Sequence, residues 1–150
     1  MTRARAFFSL LFLLAPALYA ADDFKVVLLD SKDGHVLRGK LICLMFPIGD
    51  PKGGVIEHGR ECRRTDSTGA AGFSLPEGDL ARIQIALASD GLVPCFTAHD
   101  LDLAEALKTG AVAPNTCDKA ETDTTEPGEL VVFAHQTSLW EAMKARRNEF

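Results

Sequence analysis

Four cysteines (Cys43, Cys62, Cys95, Cys117) and four histidines (His35, His58, His99, His135) are the side chains that could carry covalent or acid–base chemistry. A thiolate nucleophile needs an imidazole or a helix N-terminus nearby to depress its pKa. His99 follows Cys95 by four residues, so one catalytic reading is a small secreted hydrolase or thiol enzyme using Cys95 with His99 or His135. The cysteines could instead hold zinc, but no spacing among them forms the C-x-x-C knuckle of a structural site. The histidines show neither H-x-H nor H-E-x-x-H spacing, so no metal and no cofactor is expected. His35 and His135 could meet if the first and last strands adjoin. Otherwise each is an exposed or singly hydrogen-bonded side chain.

The compartment decides between thiol and disulfide. Met1 to Arg5 is short and basic, Ala6 to Leu18 is apolar apart from Ser9, and Ala17-Leu18-Tyr19-Ala20-Ala21 supplies small residues for cleavage. Those three parts make a secretory signal peptide over residues 1–21, cleaved after Ala20 or Ala21. A transmembrane anchor needs about 20 apolar residues. This run is shorter and meets Asp22-Asp23 at once, so no anchor is expected after cleavage. Residues 22–150 are expected to form one secreted or periplasmic domain. In an oxidising compartment an even number of cysteines favours disulfides, and four cysteines allow three pairings. Cys43 with Cys62 and Cys95 with Cys117 is the preferred pairing, because each bond then encloses one irregular loop.

Without Arg3 and Arg5, 14 basic residues face 21 acidic ones, a net charge of −7. Phosphate-backbone binding needs basic clusters. The two available, Arg60/Arg63/Arg64 and Lys144/Arg146/Arg147, read as solvated charge on a strand and a helix end, so nucleic acid is not an expected partner.

The elements that must position these residues are short and β-rich. Phe24 to Leu29 reads as a first strand, broken by Asp30-Ser31-Lys32-Asp33-Gly34 with its D-G turn signal. Lys40 to Phe46 is a nearly continuous apolar run between Gly39 and Pro47, as in a central strand buried on both sides. Ile48 to Gly59 holds Pro51 and four glycines and reads as a surface loop, with Asp50, Lys52, Glu57, His58 and Arg60 as the candidate binding residues. Glu61 to Thr65 leads into a tight turn on Asp66-Ser67-Thr68-Gly69. Asp66 can bond its own backbone two residues on, Gly69 can take a positive φ, and the return strand carries Phe73 and Leu75 on one face. Leu80 to Ala88 places Ile83, Ile85 and Leu87 on a core face, and Leu92 to Thr97 returns after Ser89-Asp90-Gly91. Asp100 is the expected N-cap of a helix over Leu101 to Lys108 with Leu103 and Leu107 as its buried stripe. A polar, acidic stretch follows to Gly128, including the Asp118 to Glu126 loop. Glu129 to His135 closes the sheet, and Ser138-Leu139-Trp140-Glu141 is a capping-box pattern opening a terminal helix with Trp140 packed back on the domain. The total is about seven strands, an inserted helix and a short C-terminal helix: an all-β, antiparallel β-sandwich.

Three stretches then carry a resemblance. Asp30-Ser31-Lys32-Asp33-Gly34 before a Gly-Lys-led strand, Thr65-Asp66-Ser67-Thr68-Gly69 with Phe73 and Leu75-Pro76, and the closing Pro127-Gly128-Glu129-Leu130-Val131-Val132-Phe133 are similar to the carboxypeptidase regulatory-like, transthyretin-like (prealbumin-like) β-sandwich. The likeness runs from about Phe24 to His135 and rests on turn signals. It implies a fold and a non-catalytic module that folds, binds or spaces. The helix and the four cysteines depart from the simplest version. A 5-hydroxyisourate hydrolase shares this fold, but its Tyr-Arg-Gly-Ser tail has no counterpart in Arg146-Arg147-Asn148-Glu149-Phe150. Asp66-Ser67-Thr68-Gly69 also resembles the Asp-Thr-Gly of aspartic proteases with one residue too many, and turn formation accounts for it. The expectation is an exported, envelope-associated or binding module for a protein or glycan partner.

Overall fold

The computed structural model describes residues 24–48, 57–75, 83–89, 91–97, 101–123, 125–138 and 140–141. Residues 1–21, expected to be a signal peptide, Asp50, Lys52, His99, Asp100 and the chain after Glu141 lie outside the described residues.

The described residues form eight strands and one helix: β1 (Phe24–Asp30), β2 (Leu41–Ile48), β3 (Glu57–Arg64), β4 (Ala70–Phe73), β5 (Gln84–Leu87), β6 (Leu92–Pro94), α1 (Leu103–Thr109), β7 (Ala111–Val112) and β8 (Glu129–Gln136). They make two sheets. The larger runs β4-β1-β8-β6 with β7 also paired to β8, and the smaller runs β3-β2-β5. Most pairings are antiparallel, but β8 lies parallel to β1 and to β7.

Alternation along the strands builds the core. Phe24, Val26 and Leu28 of β1, Leu130, Val132 and Ala134 of β8, and Ile42 and Leu44 of β2 join one buried cluster shared by both sheets. Phe24 and Phe73 face each other in register across β1 and β4, both fully buried. Burying each such ring contributes about 1.5–3 kcal/mol, and direct cross-strand pairing adds to it.

The opposite face of the larger sheet is also covered. Leu29, Val131, Phe133 and Cys95 form a second buried cluster, with Val27, Val36, Val112 and Ala120 against it. The segment from Val112 to Ala120 therefore lies as a strap across β1 and β8. This explains why β8 is buried from Leu130 through Ala134.

The structure corrects several boundaries. β2 continues through Pro47 to Ile48 and pairs with Glu57–Gly59, so Glu57 and His58 belong to β3 and not to the loop. Among the described residues β5 pairs β2 only from Ile42 to Met45, and a proline that has no ladder partner on one side is tolerated in a strand. The α1 N-cap is Asp102, whose side chain accepts from the Glu105 N–H at 2.9 Å, and Leu103 and Ala106 are its buried residues, with Leu107 half-buried. The expected capping box is present, with Ser138 N–H donating to Glu141 at 2.7 Å and Glu141 N–H to Ser138 Oγ at 3.2 Å. Trp140, however, is 77% exposed. Glu141 is turned toward His135, and successive helical residues point about 100° apart, so Trp140 faces away from the sheet.

Candidate functional site

The turn residues sit where the chain crosses from the smaller sheet to the larger. Asp66 Oδ1 accepts from Thr68 N–H at 2.8 Å, Thr68 Oγ1 at 2.7 Å and Ala70 N–H at 3.1 Å. These bonds, the Thr68 hydroxyl first, hold the Asp66 carboxyl below its ordinary pKa. Gly69 has φ 79° and lies against the Leu28 carbonyl and Val36. Thr65, buried beside the turn, donates to the Leu37 carbonyl at 2.6 Å and accepts from the Lys40 N–H at 2.9 Å. Thr65, Asp66, Thr68 and Gly69 are thus engaged in holding two connections together, which is a structural role.

His35 and His135 each have a carboxylate partner of their own. The first and last strands do adjoin, yet His35 pairs with Asp33 at 2.9 Å and His135 with Glu141 at 3.3 Å. Asp33 is held below its ordinary pKa chiefly by the His35 backbone N–H, and Glu141 chiefly by the Ser138 backbone N–H. Among the described residues no group of three or more His, Cys, Asp or Glu side chains is placed to hold a metal ion.

All four cysteines are bonded, Cys43 to Cys62 and Cys95 to Cys117. Cys43 and Cys62 are direct register partners on β2 and β3 with Cα atoms 4.0 Å apart. Ile42 and Leu44 face the core, so Cys43 between them faces outward, and this bond lies on the outer face of the smaller sheet. Arg60 lies over it, donating to both sulfurs at 3.2 Å. Of the candidate binding residues, Arg60 is thus tied to the disulfide, and Glu57 and His58 lie on β3 in register with Ile48 and Pro47.

The second bond does different work. Cys95 is fully buried in the second apolar cluster, and Cys117 sits on the strap, so the bond pins the strap to the sheet. Asn115 completes the attachment. Its amide donates to the carbonyls of Ser31 at 2.8 Å and Ala120 at 3.0 Å, and its oxygen accepts from the N–H groups of Cys117 and Asp118. The Ser31 carbonyl also accepts from the Ala120 N–H, and the Cys95 carbonyl from the Thr116 N–H. Sequence reading gave Asn115 no role. Its only local signal is the Pro114-Asn115-Thr116 turn composition, since its anchor is 84 residues away.

Between strap and sheet lies a cleft of about 340 Å³. Its lining is mixed: Val112, Ala113, Pro114, Ala120 and Phe133 are apolar, Asn115 and Thr122 are neutral and polar, and Asp118, Glu121 and Asp123 bring three carboxylates. All three acids are exposed and none has a basic partner within ion-pair distance among the described residues. Such a recess suits a group with an apolar stem and a positive head, as lysine and arginine side chains have.

No protein-family model, curated protein or solved structure matches this chain. Among the described residues no helix is long and apolar enough to cross a membrane.

Proposed function

We propose that this chain is an exported, non-catalytic β-sandwich of the transthyretin-like, carboxypeptidase regulatory-like kind, and that it binds a basic segment of a protein partner in the cleft beneath the strap. The observation that carries this reading is the pinned cleft itself, lined by apolar side chains together with Asp118, Glu121 and Asp123 and fixed by Cys95–Cys117 and Asn115. Two sheets sharing one core fit the sandwich architecture. The turn at Asp66–Gly69 supports the family resemblance, with Asp66 bonded to Thr68 and Ala70 and Gly69 at a positive φ. The thiol-enzyme alternative loses its nucleophile while Cys95 is bonded and buried.

Calorimetry of residues 22–150 with lysine- and arginine-flanked apolar peptides tests the binding reading. Exposed carboxylates contribute about 0.2–1 kcal/mol each, so replacing Asp118, Glu121 and Asp123 by their amides should weaken binding about tenfold. Binding should also fall with added salt. Equal affinity for the triple variant, or for acidic peptides, would count against the cleft as the binding site.

A further inference from the structure

Like its companion, the Cys43–Cys62 bond joins a fully buried cysteine, Cys43, to an exposed one, Cys62. It differs from Cys95–Cys117 in two respects. It lies on the outer face of the smaller sheet, away from both apolar clusters. A guanidinium is seated on it, Arg60 Nε at 3.2 Å from Cys62 Sγ and Nη2 at 3.2 Å from Cys43 Sγ. The strand period explains the seat, since Arg60 and Cys62 are two apart on β3 and share a face with Cys43 opposite. Arg64 lies on that face too but donates to the Gly39 carbonyl, and Glu61 is occupied by Arg63. No side-chain N–H donates to a sulfur of Cys95–Cys117 among the described residues, and Cys95 is packed in apolar surroundings that disfavour a thiolate.

A disulfide sulfur is a weak acceptor, whereas a thiolate is a strong one, so the Arg60 contact strengthens when the bond opens. We propose that Cys43–Cys62 is a thiol–disulfide exchange site, which a dithiol reductant opens by attacking exposed Cys62 and expelling Cys43 as a thiolate held by Arg60. The incoming thiolate forms a sulfur–sulfur bond to Cys62 as the Cys43–Cys62 bond breaks and its electron pair leaves on Cys43. The reductant's second thiolate then attacks its own sulfur in the mixed disulfide and releases Cys62. Two electrons pass to this chain, the dithiol becomes a disulfide, and its two protons pass through solvent to Cys43 and Cys62. The ladder from Leu41–Arg64 to Ile48–Glu57 pairs β2 with β3 independently of the bond, so opening it leaves the core covered.

The test is a dithiothreitol titration of residues 22–150, quenched by alkylation and read by peptide mass spectrometry. Cys43 and Cys62 should be alkylated at a reductant concentration about tenfold below that for Cys95 and Cys117. Arg60→Gln should slow their opening about three- to tenfold, with Arg60→Lys between, because a leaving thiolate of higher pKa departs more slowly. With glutathione, the trapped mixed disulfide should sit on Cys62. The proposal is overturned if Cys95–Cys117 opens first or together with Cys43–Cys62, if glutathione is found on Cys43, or if Arg60→Gln changes nothing. The order of opening in the unaltered chain needs no variant, so the test survives a variant that folds poorly.

Discussion

At Gly69 the chain leaves no room for a side chain. A Cβ there would lie 2.9 Å from Val36 Cβ and 3.1 Å from the Leu28 carbonyl, and the positive φ adds its own strain. Gly69→Ala should therefore destabilise by about 2 kcal/mol or more, read from the urea midpoint. Beside it, the folded-state pKa of Asp66 lies below its unfolded value. Its contribution is present above the ordinary aspartate pKa of about 4 and is lost as pH falls through the lowered folded value. Asp66→Asn should flatten the acid limb of a stability–pH profile in that window. Glu129 acts in the opposite sense, because burial raises its pKa and protonation relieves the folded state. Asn115 closes this scale. Asn115→Ala would take the side-chain donor from the Ala120 carbonyl and one of two donors from the Ser31 carbonyl, and should cost roughly 2 kcal/mol. The Asp66 turn was legible in the sequence because its bonds span at most four residues, whereas the role of Asn115 depends on a partner 84 residues away.

Among the elements, reading was accurate where a local pattern decides and poor where a neighbour does. β1 and β8 sit where their apolar runs put them, and β2 is the central strand of its sheet. β2 runs past the end its sequence suggests: proline normally stops a strand, yet Pro47 stays in the ladder with β3, and among the described residues β5 pairs β2 only as far as Met45. The α1 cap was misread by two residues because Asp100 and Asp102 are both suitable by type, and the bond to Glu105 selects Asp102. The strap was not legible at all. Its composition is that of a solvated loop, and only the outward faces of β1 and β8 make it a layer. Replacing Cys95 and Cys117 by alanine should cost about 3 kcal/mol in the chain-entropy picture. It should also expose Leu29, Val131 and Phe133, seen as increased binding of a hydrophobic dye; an unchanged dye signal would mean that the strap holds without its bond.

For the whole molecule, the two disulfides divide the work. Cys95–Cys117 fixes the layer that shapes the cleft, and Cys43–Cys62 lies outside the core beneath a cation. Part of the acidic balance of the sequence takes a definite place in this arrangement, since Asp118 of the strap and Glu121 and Asp123 just beyond it line one recess. The composition announced an acidic surface but could not place it, because the lining comes partly from β8 and partly from the segment Val112 to Asp123. That the cleft is a binding site for a basic segment is the central claim. It is tested most directly by titrating isotope-labelled residues 22–150 with a lysine-flanked apolar peptide and following backbone amide shifts. The account predicts shifts concentrated on Val112 to Asp123 and on Phe133, diminishing with salt. Shifts confined to the β2–β3 hairpin, or none at saturating peptide, would contradict it.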